Sequence, residues 1–392
     1  MKLALIGVGH AGSRIVDRAL ERELETGRDL CNGNVLVFDT AADAFGDITH
    51  VPSECQVRFG DIHPDVDADG VGGDPDLGVT VAREDVQELR RAFDAVDFNT
   101  IDGLLLVAGL GGGTGGGAGA VLLEELQEIC DKPIYALGVL PEADEPERCA
   151  LTASRALQSF VGIADNVICF DNDAWRATVS YTDAAESESD RPYDELDRTV
   201  VSHVLTAFGA SESAAMTTAA ENRIDASDIT RTLETGGVSS IGRATLELDR
   251  SDDGLSWLPS WLPLPSWLEG DAVDGPADAA EVKRLVRRAI DSQLTLPCAV
   301  DSTYRVLVVL SGPPTAVSRK GFESARYWLE QETGTVEVLA GDEPRPDSAT
   351  LTATVLLSTV TDVPRIDALQ ERGRTAMEAG DESEAGETEF VW

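Results

Sequence analysis

Glycine-rich segments follow two apolar, strand-like runs in the first third of the chain. The first has the spacing Gly7-x-Gly9-x-x-Gly12 after LALI, and the second is GLGGGTGGGAG, which follows LLLVA and runs from Gly109 to Gly119. Where a buried strand enters a helix through glycines, backbone N–H groups and the positive end of the helix dipole can bind phosphate. We therefore expect both loops to contribute to a phosphate-binding site.

The two loops together indicate which type of nucleotide the site would bind. The first loop alone also fits a dinucleotide-binding fingerprint, in which Asp39 would bind a ribose hydroxyl, although Asp39 fits a strand-end cap better. A dinucleotide site needs one phosphate loop, so the second loop favours a triphosphate held from two sides. The GxxxxGK[ST] motif of P-loop NTPases is absent from the sequence. An NAD-dependent oxidoreductase is the alternative from another class.

Composition indicates a globular protein adapted to salt. The 392 residues are 42% hydrophobic, and 71 Asp and Glu face 31 Lys and Arg, for a net charge of −40. Such a chain repels itself in dilute buffer, but at 1 M salt the Debye length is only about 3 Å. We therefore expect a salt-rich cytoplasm. No basic face is evident for nucleic acid, and no apolar segment reaches membrane-spanning length.

Elements that could position the loops are visible in the hydrophobic pattern. Residues 1–191 alternate apolar strands with amphipathic helices, which predicts a Rossmann-like α/β domain with a parallel sheet. A central connecting helix is predicted over residues 192–218, a smaller α+β domain over residues 219–366, and an acidic, disordered tail over residues 367–392. The segment SWLPSWLPLPSWL fits either an association surface or a loop folded over its own domain.

The second glycine loop also carries a family resemblance. GGGTGGG resembles the GGGTG[ST]G signature of the tubulin/FtsZ superfamily. The segments VICFDNDAWR, LTLPC, VVLSGPP and RKGFESARYWLEQETG resemble the CetZ group, tubulin-like proteins of halophilic archaea, and the similarity runs from residue 1 to about residue 366. The resemblance implies a tubulin/FtsZ fold, GTP binding and hydrolysis, head-to-tail assembly into filaments, and a role in cell shape or motility.

Matching positions imply a GTP site built from several loops. The phosphate-binding positions would be Gly9, His10, Ala11, Gly12, Ser13, Arg14, Gly73, Gly111, Gly112, Gly113, Thr114 and Gly115. Glu145 and Arg148 would bind the ribose, Tyr193 would stack on the base, and Asn172 and Asp197 would read guanine. Mg²⁺ would bind through the nucleotide phosphates, without a metal site made by the protein alone.

Several positions depart from the family pattern. Gly116 stands where relatives have Ser or Thr, His10 replaces Gln, Pro146 replaces Gly, and Asp197 replaces Asn. An aspartate can still accept hydrogen bonds from guanine N1–H and the 2-amino group. The loss of a hydroxyl at position 116 leaves a further alternative, a regulatory GTP-binding protein with weak hydrolysis that modulates other filaments.

Two aspartates after the central helix are the candidates for catalysis. Asp225 and Asp228 are three residues apart and would share one face of a helical turn, where the helix dipole alone would favour them. The resemblance implies a second role, because acidic residues of this loop complete the nucleotide site of the next subunit in the family. The protein's partners in a filament would then be other copies of itself. Other tubulin-like proteins are possible partners in a copolymer.

Overall fold

A computed structural model describes residues 1–176, 178, 193–211, 224–248, 279–316 and 319–388. The tryptophan-rich segment and the end of the predicted central helix lie outside these residues. The predicted boundary between the first domain and that helix, at residues 191 and 192, also lies outside them.

Strands and helices alternate through the first part of the chain, as the apolar pattern predicts. The strands are β1 Leu3–Val8, β2 Val35–Asp39, β3 Gln56–Arg58, β4 Gly103–Gly109, β5 Ile134–Leu140 and β6 Asn166–Asp171. The helices are α1 Gly9–Thr26, α2 Pro75–Glu84, α3 Val86–Ala92, α4 Gly119–Ile129, α5 Glu147–Ile163 and α6 Asn172–Arg176.

The second part begins with a long helix and continues as a mixed α+β region. Its helices are α7 Asp194–Phe208, α8 Ala226–Leu233, α9 Ala279–Asp291, α10 Arg319–Thr333 and α11 Pro364–Thr388. Its strands are β7 Val238–Glu247, β8 Arg305–Gly312, β9 Val338–Pro344 and β10 Thr350–Ser358. Among the described residues, no helix combines the length and the apolar composition needed to cross a membrane.

One sheet of ten strands runs through both parts, in the order β3-β2-β1-β4-β5-β6-β7-β10-β8-β9. The strands from β3 to β7 are parallel, and β10 pairs antiparallel with both β7 and β8. In the register, Gly7 of β1 pairs with Val107 of β4, so the two glycine loops leave adjacent strands at the same edge. Ligands bind at this carboxyl edge in open α/β sheets.

Apolar residues cover both faces of the sheet. One core layer joins the strands to α2, α4, α5 and α9 through side chains such as Phe160 and Leu285. The other joins them to α1, α7 and α8 through side chains such as Ile15, Phe208 and Ile229. Burial on both faces explains why the strands are almost continuously apolar and do not alternate.

The prediction of a disordered tail from residue 367 is wrong for its first part. Helix α11 continues through it and packs along α5, with Leu369 fully buried. Gly373 permits the close approach, because a Cβ there would lie 3.1 Å from the Leu151 Cα atom. At the start of the helix, Arg365 Nε donates to Asp171 Oδ1 at 3.0 Å. Further along, Arg372 Nη2 donates to the Glu145 carbonyl oxygen at 3.2 Å. The acidic composition of the segment gave no sign of the buried leucine or of these arginine contacts.

Docking of α11 can be tested by truncating its buried side chain. Leu369→Ala should lower the free energy of unfolding by about 2–4 kcal/mol, because it removes buried methyl groups and leaves a cavity. Met377→Ala is the matched control, since Met377 lies on the same helix and is 44% exposed. Urea unfolding in high salt measures both values. Equal, negligible effects would mean that the helix does not dock.

Candidate nucleotide-binding site

A cavity of about 550 Å³ lies at the carboxyl edge of the parallel strands, where both glycine loops meet. Fifteen of the residues predicted for the GTP site line it: Gly9, His10, Ala11, Arg14, Gly73, Gly111, Gly112, Gly113, Thr114, Gly115, Glu145, Arg148, Asn172, Tyr193 and Asp197. The volume falls within the usual range of small-molecule sites, about 300–1,000 Å³.

Most glycines of the second loop are required by packing against the chain itself. A Cβ on Gly113 would lie 2.7 Å from the Asp74 nitrogen, and one on Gly115 would lie 2.4 Å from the Gly109 carbonyl oxygen. Gly112 is different, because a Cβ there would meet nothing closer than that same carbonyl oxygen at 3.8 Å. Gly112 therefore borders open space.

Contacts between the two glycine loops fix their relative position. Gly9 has φ +72°, and a Cβ on it would lie 3.0 Å from the Gly115 nitrogen. Nearby, the hydroxyl oxygens of Thr40 and Thr114 lie 2.9 Å apart. A π-helical turn, Thr114–Ala118, leads from the loop into α4. The backbone of each loop is held by the other.

Two predicted residues, Gly12 and Ser13, are not part of the cavity lining. A Cβ on Gly12 would lie 2.2 Å from the Val107 carbonyl oxygen, so this glycine seats α1 against β4. Ser13 is fully buried, and its Oγ has no hydrogen-bond partner in the described part of the chain. The packing of Gly12 does not test phosphate contact by the backbone of either residue, which stays a prediction.

The end of the cavity beside α7 contains an aromatic ring and an ion pair. Arg14 donates to Asp197 Oδ2 from Nε at 3.0 Å and from Nη2 at 2.7 Å. The same guanidinium lies over the Tyr193 ring, with its central carbon 5.2 Å from the ring centroid. Both members of the ion pair are largely buried. A planar base could stack at Tyr193 and meet a carboxylate at its edge.

Burial raises the pKa of Asp197 to about 6, and the positive charge and hydrogen bonds of Arg14 offset only part of that increase. The carboxylate is therefore ionised above this range and accepts hydrogen bonds there. In this state it matches the donor edge of guanine, which presents N1–H and a 2-amino group.

The opposite wall holds the residues predicted for ribose. Glu145 Oε1 accepts a hydrogen bond from the Glu142 backbone N–H at 2.8 Å, and burial, followed by the charge of Asp144, raises the pKa of Glu145. Arg148 approaches the Gly73 turn, where a Cβ would lie 3.5 Å from its Nη2. Asn172 begins α6 at the end of β6. Glu145, Arg148 and Asn172 thus bring hydrogen-bond acceptors and donors to the cavity lining.

The sequence-based interpretation underestimated Asp39. It does cap the strand end, because its Oδ1 accepts from the backbone N–H groups of Thr40 at 2.7 Å and Ala41 at 3.2 Å. It also lines the cavity, and its buried Oδ2 has no partner among the described residues. Burial raises the pKa of this carboxyl. The signal was its place at the carboxyl end of β2, where the sequence analysis preferred a strand-end cap to a ligand-binding role.

Asp225 and Asp228 are not among the residues that line the cavity. They form a capping box at the start of α8, as the simpler interpretation expects: Asp225 Oδ1 accepts from the backbone N–H groups of Ser227 and Asp228, and Asp228 Oδ2 accepts from the Asp225 N–H at 3.1 Å. Hydrogen bonding to Ser227 lowers the pKa of Asp225. Within one subunit these carboxylates serve the helix.

Comparison with known proteins agrees with this geometry. A family profile described as the tubulin/FtsZ family GTPase domain matches residues 2–180, and one described as the C-terminal domain of tubulin-like CetZ matches residues 186–375. The tubulin-like protein CetZ3 of Haloferax volcanii is 42% identical over 94% of this chain and 91% of its own length.

Solved structures give the same result. A GDP-bound monomer of CetZ1 from Haloferax volcanii is 34% identical, has a TM-score of 0.79, and is matched over 96% of this chain and 100% of that one. A GTPγS-bound protofilament of CetZ2 from the same organism is 30% identical, with a TM-score of 0.80 and coverage of 97% and 100%.

Fold and site together define a tubulin-like GTPase of the kind that forms cytoskeletal filaments. Within that class, the chain belongs to the CetZ group of the tubulin/FtsZ family. The oxidoreductase alternative is therefore excluded.

The shifted pKa of Asp197 predicts a pH-dependent stability. The carboxyl has a pKa of about 6 in the folded chain and about 3.9 when unfolded. Its neutral form is favoured by folding, so its contribution to stability is full below pH 4 and is lost as the pH rises through 6. Between pH 4 and 7, wild type should lose about 2 kcal/mol relative to Asp197→Asn.

Chemical denaturation of both proteins at several pH values measures this difference. Asp194→Asn is the matched control on the same helical turn, where Asp194 pairs with Arg18 at 3.1 Å and is less buried than Asp197. Parallel pH profiles for wild type and Asp197→Asn would show that Asp197 titrates normally.

Proposed function

We propose that this protein binds GTP in the cavity at the carboxyl edge of the sheet and hydrolyses it within head-to-tail filaments. The observation that supports this most strongly is the convergence of two glycine loops on one cavity, with Gly112 bordering its open space. The related CetZ1 and CetZ2 structures, described as GDP-bound and as a GTPγS-bound protofilament, support the same assignment.

We assign the phosphates to the backbone N–H groups of the loops around Gly9 and Gly112, with Thr114 and His10 beside them. The ribose would contact Glu145 and Arg148. The base would stack on Tyr193, with Asn172 and Asp197 at its edge. Since Arg14 already occupies Oδ2 of Asp197, guanine would use Oδ1 or displace the guanidinium.

Mg²⁺ would bind through the nucleotide phosphates and neutralise part of their charge. The residues present fit a hydrated cation, because Asp39 Oδ2 is buried at the cavity wall without a partner among the described residues. This oxygen could accept a hydrogen bond from a metal-bound water. The other carboxylate oxygen of Asp39, Oδ1, accepts a hydrogen bond from the Thr40 N–H and so caps the end of β2.

Hydrolysis would be completed by a neighbouring subunit. Phosphoryl transfer needs a positioned water as well as charge stabilisation. Asp225 accepts three hydrogen bonds at the start of α8, all at Oδ1, from the Ser227 N–H, the Ser227 hydroxyl and the Asp228 N–H. Asp228 uses only Oδ2 there, which leaves Oδ1 for solvent or a neighbour. We therefore propose Asp228 as the water-orienting group and Asp225 as the residue that positions it.

Domain roles follow from this assignment. Residues 1–191 would form the GTP-binding domain, residues 192–218 the connecting helix, and residues 219–366 the domain whose first helix meets the next subunit. The net charge of −40 favours a salt-rich cytoplasm as the site of action. Other tubulin-like proteins would be possible copolymer partners, and weak hydrolysis would indicate the regulatory alternative.

Gly112→Val tests the assignment of the nucleotide phosphates to the loop around Gly112. The added side chain would occupy the open space beside the loop, so GTP affinity should fall by at least about 100-fold, or 2.7 kcal/mol, in a folded protein. Gly162→Val is the control, because Gly162 lies in α5 with nothing within 4 Å of an added Cβ. Calorimetric titration with GTP, supported by circular dichroism, measures the effect. Unchanged affinity in Gly112→Val would remove the phosphates from this loop.

Asp228→Asn tests catalysis across subunits. Asparagine can still accept from the Asp225 N–H, so the capping box should survive while the charge is lost. Monomer affinity for GTP should stay within about twofold, whereas hydrolysis should fall about 10²–10⁴-fold, as expected for one positioned group. Phosphate release in molar KCl measures the rate. Asp225→Asn should have a smaller effect.

A mixture of the two variants shows whether the catalytic site is formed by one subunit or by two. Asp228→Asn supplies an intact GTP cavity, and Gly112→Val supplies an intact α8, so a mixture should recover part of the activity that each lacks. Wild-type turnover per subunit should also rise with protein concentration. Concentration-independent turnover, with no recovery in the mixture, would place catalysis within one subunit even if GTP binding stands.

A further inference from the structure

A second polar cavity, of about 220 Å³, lies between the GTP-binding part and the C-terminal strands. Its walls come from the ends of α1 and α7 on one side and from β7, β8, β10 and the β9–β10 turn on the other. The space is large enough to hold several water molecules. It is too small for a nucleotide but large enough for a small anion.

Four arginines line this cavity, in a chain whose acidic residues outnumber its basic ones by more than two to one. Arg28 and Arg345 share one carboxylate, because their Nη2 atoms lie 3.0 Å and 2.7 Å from Glu343 Oε1. Arg22 pairs with Glu25 at 2.7 Å on the exposed side of α1. Carboxylates thus pair with these three guanidinium groups.

Arg243 is the fourth, and no carboxylate pairs with it among the described residues. Its Nε is buried without a hydrogen-bond partner in that part of the chain. Burial, followed by the like charges of Arg22 and Arg28, lowers the pKa of Arg243. A cation that is partly buried beside two others, without a carboxylate partner, is costly, because desolvation and repulsion act together. An anion would relieve both effects.

Four serine and threonine hydroxyls in this cavity already donate hydrogen bonds within the chain, so the guanidinium groups are its main donors for a ligand. The hydroxyls of Ser202, Thr206 and Ser348 donate to backbone carbonyl oxygens, and that of Ser311 donates to Glu343. Their donor hydrogens are thus already used within the chain. Arginine N–H forks match the paired oxygens of phosphate-type anions.

We propose that this cavity binds a small oxyanion of the phosphate class, either inorganic or as the phosphate group of a small metabolite, with Arg243 as its principal ligand. This proposal is independent of GTP binding. The site would join the two parts of the molecule, since β7, which carries Arg243, faces helices α1 and α7 across it.

The same two helices connect this cavity with the candidate GTP site. Helix α1 carries Arg14 in one cavity and Arg22 in the other, about 12 Å apart along the helix axis. Helix α7 carries Asp197 in the first and Thr206 in the second.

Pyrophosphate and inorganic phosphate are the probes, titrated into the full chain in molar KCl at constant ionic strength. Wild type should show saturable binding and a rise in Tm by mass action. Arg243→Met should bind at least tenfold more weakly and lose the Tm shift. Arg22→Gln, at a partly exposed position, should weaken binding several-fold without risk to folding. Arg287→Met is the control, an exposed arginine on α9 paired with Asp291.

The Tm of unliganded protein separates a ligand site from a structural arginine. Without anion, Arg243→Met should be as stable as wild type or more so, because it removes an unpaired, partly buried charge. Phosphate stabilises proteins in general by exclusion from their surfaces, so equal shifts in wild type and all three variants would overturn the proposal. A sharp fall in Tm for Arg243→Met, with unchanged binding in Arg22→Gln, would also overturn it. Inorganic phosphate binding as tightly as pyrophosphate would identify a single-phosphate site.

Discussion

Close approach of backbone to backbone at the carboxyl edge of the sheet is the constraint on which the site depends. Gly12 lies against the Val107 carbonyl, Gly113 against Asp74, and Gly115 against Gly109. At each position an added Cβ would clash with the neighbouring backbone atom. Packing of the chain against itself therefore explains most of the glycine-rich loop. This packing places Gly112 beside open space, and a phosphate site results from rigidity as much as from the absence of side chains.

The sequence predicted the parts of the structure that depend on local pattern. Apolar strands, helix starts and glycine loops indicated the parallel sheet, and the motif order indicated the CetZ group, as the comparisons confirm. It did not predict contacts between distant segments. The Arg14–Asp197 ion pair joins residues far apart in the chain, and the docking of Leu369 depends on a surface of α5. Spacing within a motif also did not show that Gly12 packs against the Val107 carbonyl oxygen of β4.

Two helices give the molecule its long-range organisation. Each of α1 and α7 starts beside the candidate GTP cavity and ends beside the arginine-lined one. Asp225 and Asp228, in contrast, begin a third helix and use their side chains to cap it. A capping carboxylate is held in a fixed direction, which is what a residue offered to a neighbouring subunit requires.

The most direct test of the account is the structure of a filament assembled in molar KCl with a slowly hydrolysed GTP analogue. The account predicts the triphosphate between the two glycine loops, the base against Tyr193, and Asp228 of the next subunit facing the γ-phosphate through a water. A filament with nucleotide elsewhere, or with α8 turned away from the neighbouring cavity, would contradict it.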